Sequence, residues 1–455
     1  MEKIAEDDGA VEDSQFPEEG REPAVHPLLK EAFNALERAG VAWCLLRVPG
    51  NLLDPVGDID LLVTPAHTGR AQLALEALGF VRVPGQPYDR HFLSYHRPTG
   101  RWLWLHVSSD LSFGDEYVLK TRLAGECLSR RRRDHDWYVL APDDALWALL
   151  LHCWLDKGSI GPAQRQQGAS LLSRVGLEGP LARVVTAVCP PGWSLRRILD
   201  YAAKDRWTEL EALAPLLRAS WMARCVFASG QVRLRRALRV AKHLASAWQR
   251  RGLTVALIGP DGAGKSTLAM RLSQSFVLPV DQIYMGLTGG RLPMIDRLGF
   301  PPLVIVGRVS VFWYRYLLGV YRKLRGSLIV FDRYIYDAVA PPPHELNWVG
   351  RLIRWTDGHA CPPPDLVLFL NVPGPVMFAR KSEYSAEMLD RWRAKMLALQ
   401  GHVPKFEIVD TSQSEDEVCA AATELIWKRY ATRWSDGRRR RASRDPQHSA
   451  AQKQQ

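Results

Sequence analysis

The sequence predicts an α/β protein with at least two domains. We expect a second half built on a parallel sheet flanked by helices, preceded by a small α+β domain and a helical connecting region. Three observations predict this. Short apolar runs alternate with helical stretches after residue 252. Two strand-like runs occur before residue 64, and apolar residues from Pro142 to about residue 251 recur at helical spacing.

Composition limits the class of protein. The 455 residues are 47% hydrophobic and 24% charged, which excludes a fibrous or wholly disordered chain. Lys and Arg outnumber Asp and Glu by 60 to 49, and the resulting net charge of +11 points to anionic partners. The seven cysteines form no CxxC pair, and no apolar run opens the chain. We therefore expect a cytoplasmic protein with reduced thiols.

Composition shifts divide the chain into five segments. The two ends are polar and are expected to be disordered, because residues 1–22 carry nine acids and residues 436–455 carry six bases. The predicted segments are an acidic tail (1–25), an α+β domain (26–140), a helical connecting region (141–251), an α/β domain (252–432) and a basic tail (433–455).

Two segments raise the question of a membrane. The apolar stretch 300–321 is interrupted by Arg308 and Arg315, which argues against a span. With Arg322, these residues recur every seven positions, as on a core helix with a solvated Arg edge or on a row of Arg facing an anionic ligand. Residues 231–250 form an amphipathic basic pattern. It favours an inter-domain helix over contact with a membrane surface.

The clearest motif follows the apolar run 253–258, which predicts a buried strand. It reads Gly259-Pro260-Asp261-Gly262-Ala263-Gly264-Lys265-Ser266-Thr267, a complete GxxxxGK[ST] phosphate-binding loop between a strand and a helix. Glycines let backbone N–H groups converge on phosphate oxygens. Lys265 would reach the β- and γ-phosphates of ATP and Ser266 would hold Mg²⁺. The sequence therefore predicts ATP and Mg²⁺ as ligands.

Further strands are predicted at 279–284, 328–331, 366–370 and 406–409. In a parallel sheet, ligands bind at the carboxyl ends of the strands. Asp332-Arg333 stands at such an end, where the carboxylate suits Mg²⁺ or proton acceptance and the guanidinium suits a phosphate.

Residues 253–432 resemble thymidylate kinases and the wider class of nucleoside monophosphate kinases. The resemblance lies in the phosphate-binding loop with Asp261, in Asp332-Arg333-Tyr334, in the stretch 364–370 (PDLVLFL) and in Arg380-Lys381. It implies a P-loop kinase domain and in-line transfer of the ATP γ-phosphate to a nucleoside monophosphate, dTMP-like, or to a related small molecule. It departs from authentic thymidylate kinases at 285–300 and 335–363, so ATP is a firmer expectation than dTMP.

The resemblance also implies roles for individual residues. Asp261, Arg333 and Tyr334 would bind the acceptor, and Arg380 with Lys381 would belong to a lid, with Arg391 and Arg393 as further candidates. Asp410-Thr411 would lie near the adenine. The expected catalytic residues are Lys265, Asp332, Arg333 and Arg380. The expected ATP-binding residues are Gly259, Asp261, Gly262, Ala263, Gly264, Lys265, Ser266, Thr267 and Asp410. The expected Mg²⁺ ligands are Ser266 and Asp332.

The first half carries a second motif. Strand alternation puts Asp58 and Asp60 on one side, and two carboxylates so close suit a divalent cation. Residues 27–115 resemble nucleotidyltransferases, which implies a nucleotidyltransferase-like domain and a second metal site. The family's third carboxylate is missing from the predicted strand 102–107. Asp110 is a candidate substitute, and His106 a poor one.

Three functions remain open from the sequence. They are an ATP-dependent phosphotransferase, a nucleotidyltransferase acting on a small molecule, and a non-catalytic ATP-binding switch. Residues 212–260 hold nine bases and no acid, and residues 297–331 hold six bases and no acid. We expect this charge to lie beside a polyphosphate site, which favours ATP and a small acceptor over nucleic acid.

Overall fold

The computed structural model describes residues 24–83, 89–114, 117–224, 234, 252–286, 292–297, 300–339, 348–382 and 384–442. Contacts divide the chain into two compact units. One, the N-terminal unit, falls within 6–94 and 102–243, and the other, the C-terminal unit, falls within 1–5, 95–101 and 244–455. Each unit is described separately below.

The N-terminal unit is built on a mixed sheet. Its strands are β1 (Trp43–Leu45), β2 (Asp58–Val63), β3 (Val81–Val83), β4 (Asp89–His96), β5 (Arg101–Ser108), β6 (Ser112–Phe113), β7 (Leu119–Lys120), β8 (Arg132–Asp134) and β9 (Trp137–Val139). Seven of them form one sheet in the order β3-β4-β5-β2-β1-β9-β8, and β6 pairs with β7. Strands β2 and β5 are parallel, so Asp58 lies opposite Trp104 and Asp60 opposite His106.

Nine α-helices are described in the same unit. They are α1 (Pro27–Arg38), α2 (Thr68–Ala77), α3 (Ala124–Ser129), α4 (Pro142–His152), α5 (Pro162–Leu172), α6 (Pro180–Val188), α7 (Leu195–Ala203), α8 (Trp207–Glu211) and α9 (Ala214–Arg224). A short 3-10 turn lies at Pro65–His67 and a π turn at Cys153–Lys157, whereas the 3-10 turn at Arg97–Thr99 falls in the C-terminal unit. The helices from α4 onward share an apolar core with Cys44 and Leu62 of the sheet. Residues 142–224, the described part of the expected connecting region, therefore pack as part of this unit.

The C-terminal unit contains a five-stranded sheet. Its strands are β10 (Leu253–Ile258), β11 (Val280–Tyr284), β12 (Leu328–Asp332), β13 (Leu366–Asn371) and β14 (Phe406–Asp410). All neighbouring strands are parallel, and their order is β11-β12-β10-β13-β14. Every predicted strand of this half is confirmed. The central strand β10 is buried along its whole length because helices cover both faces of the sheet.

The helices of this unit alternate with its strands. They are α10 (Lys265–Ser275), α11 (Leu292–Asp296), α12 (Pro301–Leu324), α13 (Tyr336–Val339), α14 (Trp348–Gly358), α15 (Gly374–Arg380), α16 (Ala386–Leu397) and α17 (Glu415–Ala442). This is an α/β architecture with a parallel sheet flanked by helices, and it is consistent with a P-loop kinase-like fold. The loop after the central strand opens at the carboxyl edge of the sheet, where such folds bind ligands.

Helix α12 corrects the interpretation of the basic run 297–331. Arg308 is only 6% exposed and donates hydrogen bonds to the carboxylates of Asp357 and Asp296. Arg322 Nη1 lies 2.8 Å from Asp281 Oδ1. Arg308 thus belongs neither to a solvated edge nor to a row facing a ligand, because it sits in a buried ion-pair network. Acids outside the run offset its charge there.

The same helix bears on the membrane question. Within the described ranges, α12 is the one helix long and apolar enough to cross a membrane by length and composition. An 18-residue stretch of α12 has a mean hydropathy of 1.4, and 22% of this stretch is buried inside the protein. Leu303, Val306, Tyr314 and Leu317 are each more than half exposed. That no segment spans a membrane remains a prediction.

The C-terminal end differs from the expected basic tail. Helix α17 continues to Ala442, so residues 433–442 are helical. Arg433 Nη1 lies 2.6 Å from the carboxylate of Asp365, an ion pair that anchors this part of the helix to the sheet. The acidic tail before residue 24, the end of the basic tail after residue 442 and, apart from Leu234, the predicted helix 231–250 lie outside the described residues.

Candidate functional site

The phosphate-binding loop has a backbone that requires glycine. Gly262 has a φ of +86° and Gly264 a φ of +93°, in the left-handed region that favours glycine. A Cβ on Gly262 would lie 2.8 Å from the carbonyl oxygen of Met377. Helix α10 begins directly after Gly264, so its positive N-terminal end faces the space enclosed by the loop.

Lys265 is held inside this loop. Its side chain is 6% exposed, and Nζ donates to the carbonyl oxygens of Gly259 at 2.7 Å and Pro260 at 2.8 Å. Burial and the positive charge of Arg333 lower the pKa of Lys265. Asp261 Oδ1 lies 3.9 Å from Nζ, so a phosphate oxygen in the loop would give the ammonium a closer negative partner.

Ser266 and Asp332 come together from two segments. Because β10 and β12 are parallel neighbours, Asp332 ends its strand beside the loop, and Ser266 Oγ donates to Asp332 Oδ2 at 3.1 Å. The other carboxylate oxygen, Asp332 Oδ1, is buried without a hydrogen-bond partner. A hydroxyl and a carboxylate are hard oxygen donors, and the orphaned oxygen leaves coordination capacity. The pair therefore fits Mg²⁺.

Arg333 lies between two carboxylates. Its backbone is in the left-handed region with a φ of +67°. Nη2 donates to Asp261 Oδ1 at 2.5 Å, and Nη1 lies 3.8 Å from Asp337 Oδ2. Although burial would lower the pKa of Arg333, the carboxylates of Asp261 and Asp337 raise it. The guanidinium is therefore held charged at the carboxyl edge of the sheet.

Asp337 is a site residue that the sequence analysis did not find. It is 4% exposed, and neither carboxylate oxygen has a hydrogen-bond partner. Burial raises its pKa to about 6, although the charges of Lys265 and Arg333 act in the opposite direction. No local pattern in the sequence pointed to it, because Arg333 lies before α13 in a left-handed turn and the two residues do not share a helix.

The sequence analysis expected Tyr334 to contact the acceptor, which the structure contradicts. Its side chain is fully buried, and its hydroxyl donates to the carbonyl of Pro362 at 2.6 Å. The ring packs against Phe331 and Tyr336. Because Arg333 adopts the left-handed turn, the chain redirects the next side chain into the core.

One cavity of about 550 Å³ collects these residues. Its lining includes residues 261–268 of the loop and helix, Asp332, Arg333, Tyr284, Arg380, Lys381 and Thr411. Arg380 Nη2 donates to the carbonyl of Thr411 at 3.1 Å. The structure thus brings the predicted Lys265, Ser266, Asp332, Arg333 and Arg380 to a single opening.

Other predicted positions are used differently. The carboxylate of Asp410 accepts hydrogen bonds from the backbone and hydroxyl of Ser412, so it shapes its own loop while Thr411 lines the cavity. Arg393 donates to Asn371 Oδ1 at 2.6 Å. Arg391 is exposed and is not part of the cavity lining. Of the four lid candidates, only Arg380 and Lys381 reach the cavity.

The N-terminal unit contains a separate polar cluster. Asp58, Asp60 and His106 each offer a ligand atom within 4.8 Å of the other two. Asp60 Oδ1 lies 2.7 Å from His106 Nδ1, and Asp60 Oδ2 accepts a hydrogen bond from Arg47 Nε at 3.0 Å. Burial alone would raise the pKa of Asp60, but His106 and Arg47 lower it below its usual value. Asp60 is therefore an ionised carboxylate.

Asp110, the suggested third carboxylate, lines one cavity with Asp58, Asp60 and His106. Its two oxygens accept hydrogen bonds from Leu111 N, Thr121 Oγ1 and Arg122 N. The carboxylate organises the loop around β6 and β7 and is not part of the three-residue cluster. His106 is the third member of the cluster, because the parallel register of β2 and β5 places it beside Asp60.

Comparison with known proteins shows a likeness to solved structures over part of the chain. No protein-family model matches the chain, and no curated protein matches it. A solved thymidylate kinase from Candida albicans is 20% identical with a TM-score of 0.33, and the match covers 40% of this chain and 93% of that one. The description of the C-terminal unit as P-loop kinase-like therefore rests on its own strand order and phosphate-binding loop.

Proposed function

We propose that the C-terminal unit is an ATP-dependent phosphotransferase. It transfers the γ-phosphate in line, with Mg²⁺, to a nucleoside monophosphate or a related small-molecule acceptor. One observation carries the proposal: Lys265, Ser266, Asp332 and Arg333 come from separate segments and meet at one cavity at the carboxyl edge of a parallel sheet. Phosphoryl transfer depends mainly on such positioning and charge neutralisation.

The phosphate-binding loop would hold the donor. Its N–H groups and the start of α10 would surround the β- and γ-phosphates. Lys265 would exchange the carbonyls of Gly259 and Pro260 for phosphate oxygens, because an anion is a stronger partner for an ammonium than a neutral carbonyl. Ser266 and Asp332 would hold Mg²⁺, which when bound neutralises charge on the phosphates.

The acceptor would enter from the side of Arg333. The guanidinium is paired with Asp261, so an anionic acceptor would have to displace that carboxylate or share the guanidinium with it. Tyr284 is partly exposed in the same cavity and offers a ring to pack on. Arg380 and Lys381 also line the cavity, and their closure over ATP would exclude water from the transferring phosphate.

The test is a transfer assay on the full chain. Purified protein is incubated with γ-labelled ATP and Mg²⁺ over nucleoside monophosphates, nucleosides, sugars and aminoglycosides. We expect label on one acceptor class, lost in Lys265→Ala and retained in Lys395→Ala, which removes an exposed lysine outside the cavity. Tight ATP binding without transfer to any acceptor would contradict the proposal and favour the non-catalytic switch.

A nucleotidyltransferase reaction in the N-terminal unit is a second candidate. The observation that favours it is the close approach of Asp58, Asp60 and His106 beside a cavity. In a Lys265→Ala background, α-labelled nucleoside triphosphates and the same acceptor panel would be expected to release pyrophosphate. Release that persists in Asp60→Ala excludes this reaction at the cluster.

A further inference from the structure

A second cavity of the N-terminal unit is lined by aliphatic side chains and by arginines, and has a volume of about 290 Å³. We infer that it binds a small anionic amphiphile, a carboxylate or phosphate on a short aliphatic chain, through Arg132 and Arg174. This cavity is not the one that contains Asp58 and Asp60. The inference depends on neither of the two candidate activities.

Two helices and two strands supply the aliphatic wall of this cavity. Ala145 and Leu149 lie one turn apart on α4, and Gln167 and Leu171 lie one turn apart on α5, so each pair shares a face of its helix. The ends of β1 and β9 form the strand side. Nine of the 15 lining residues are Leu, Val, Ala or Pro, and none is aromatic. The wall therefore fits an aliphatic chain better than a stacked ring.

A run of four arginines, 130–133, leads into the cavity. The first is paired with Asp143 at 2.9 Å, and the second stacks over the ring of Tyr138 at 4.6 Å. Arg132 and Arg133 follow on β8, the last strand in the order of the seven-stranded sheet. Both are exposed and both line the cavity. The run is thus divided between contacts inside the protein and a surface that faces the cavity.

Arg174 adds a further positive charge from the end of α5. Its N–H donates to the carbonyl of Leu171 at 2.9 Å, so the helical turn continues to it. In the part of the chain that the structure describes, neither Arg132 nor Arg174 has an acid within ion-pair distance. Asp134 is the acid among the lining residues, and its carboxylate lies 2.9 Å from His135 Nδ1. The cavity therefore carries an excess of positive charge.

The arginines and the wall together select the class of ligand. Positive charges held close together without acids repel one another and favour an anion. A guanidinium presents its N–H groups in a planar fork that matches the oxygens of a carboxylate or phosphate. The aliphatic wall favours burial of a chain attached to that anion. A volume of about 290 Å³ lies at the small end of ligand cavities, which suits a short chain.

The neighbouring cavity shares two lining residues with this one, Leu46 and Arg47. The guanidinium of Arg47 is already engaged, because Nε donates to Asp60 Oδ2 at 3.0 Å and Nη1 lies 2.7 Å from His152 Nε2. The anionic group of the ligand would therefore rest on the arginines of β8 and on Arg174, which do not line the neighbouring cavity.

The experiment measures octanoate binding by equilibrium dialysis. Full-length protein without nucleotide or added metal is dialysed against radiolabelled octanoate. We expect one octanoate per chain, displaced by octyl phosphate but not by octanol or octylamine at the same concentration. The alcohol and the amine keep the chain and lack the negative charge. Whichever of the two anions binds more tightly identifies the head group that the arginines prefer.

Variants locate the bound octanoate. Arg132→Gln and Arg174→Gln should each weaken binding at least about tenfold, because each removes a charged hydrogen-bond donor. Ala145→Leu should also weaken it, by filling the space beside the aliphatic wall. Arg196→Gln removes an exposed arginine outside the cavity and should bind octanoate as the wild type does. Urea unfolding checks that each variant is folded.

Three results would overturn the inference. They are an absence of octanoate binding to the wild-type protein, equal affinities for octanoate and octanol, or binding that is unchanged in both Arg132→Gln and Arg174→Gln. The comparison of octanoate with octanol uses the wild-type protein alone, so the test survives a substitution that fails to fold.

Discussion

Asp332 and Asp60 both lie on strands, but their hydrogen-bond partners suit the two carboxylates to different roles. Asp332 ends β12, accepts a hydrogen bond from Ser266 on one oxygen and leaves the other oxygen without a partner. Asp60 lies near the start of β2, and both of its oxygens are engaged, by His106 and Arg47. The first site can bind a hard cation that prefers oxygen ligands. The second already contains the imidazole nitrogen of His106 beside its carboxylate.

Two arginines of the C-terminal unit make the same point with positive charge. Arg308 and Arg333 each lie between two carboxylates. Arg308 is buried on α12 and makes bidentate contacts with Asp357 and Asp296. Arg333 instead lines the cavity beside the phosphate-binding loop. The number of ion pairs does not distinguish a structural arginine from a binding one; access to a cavity does.

The largest effect is expected for Lys265→Ala. Loss of the loop ammonium should lower the rate of phosphoryl transfer about 10³-fold, or ~4 kcal/mol, because that charge is aimed at the transferring phosphate. Single-turnover transfer by the variant and the wild-type protein measures this loss. Transfer that Lys265→Ala retains at the wild-type rate would contradict a site built on the phosphate-binding loop.

The next largest effect concerns the two kinds of ion pair. Arg308→Met should lower the free energy of unfolding by about 3 to 4 kcal/mol, because it leaves Asp357 buried without its partner. The matched variant Arg322→Met, which breaks a partly exposed pair with Asp281, should cost less than about 1 kcal/mol. Urea unfolding compares them, and equal losses would show that burial does not set the difference.

Asp337 supplies a pH dependence. Its folded pKa of about 6 lies above the usual value of 3.8, so the folded state binds the proton more tightly. This contribution to stability is fully present below pH 4 and is lost as the pH rises through 6, by up to about 3 kcal/mol. Asp337→Asn lacks this loss. The stability of the variant relative to wild type should therefore increase from pH 4.5 to pH 7.

Urea unfolding of both proteins at several pH values measures this difference. Wild-type and variant curves that run parallel across that range would contradict a buried carboxylate beside Lys265 and Arg333. The comparison with Asp60 sharpens it, since the pKa of Asp60 is lowered and not raised. The stability that ionised Asp60 contributes is fully present above its usual pKa of 3.8 and is lost only as the pH falls below that value. Asp60→Asn should therefore differ from wild type by a constant amount from pH 4.5 to pH 7, in contrast to Asp337→Asn.

The smallest effect compares the lid candidates. Arg380→Ala should raise the KM for ATP about tenfold, because Arg380 lines the cavity. Arg391→Ala should change it less than about twofold, since Arg391 is exposed and outside the lining. Initial rates over a range of ATP concentrations decide this. Equal effects on the KM would contradict this difference and would place both residues on a lid that closes over ATP.

The sequence by itself determined the features that depend on neighbours along the chain. The run 253–258 and the glycines after it specify a buried strand and a phosphate-binding loop, because apolar burial and left-handed backbone are local requirements. Strand alternation likewise placed Asp58 and Asp60 on one side. The strands of the C-terminal sheet followed from their apolar runs.

Only the tertiary structure decided which distant residues complete each site. The parallel register of β2 and β5 brought His106 to Asp60. The carboxylate of Asp110 instead accepts hydrogen bonds from residues beside β6 and β7. The left-handed turn at Arg333 sent Tyr334 into the core, while Asp337 was buried beneath the same arginine. The basic run on α12 was offset by acids from other elements. Charge pairing and burial depend on contacts made across the fold, and no local pattern encodes them.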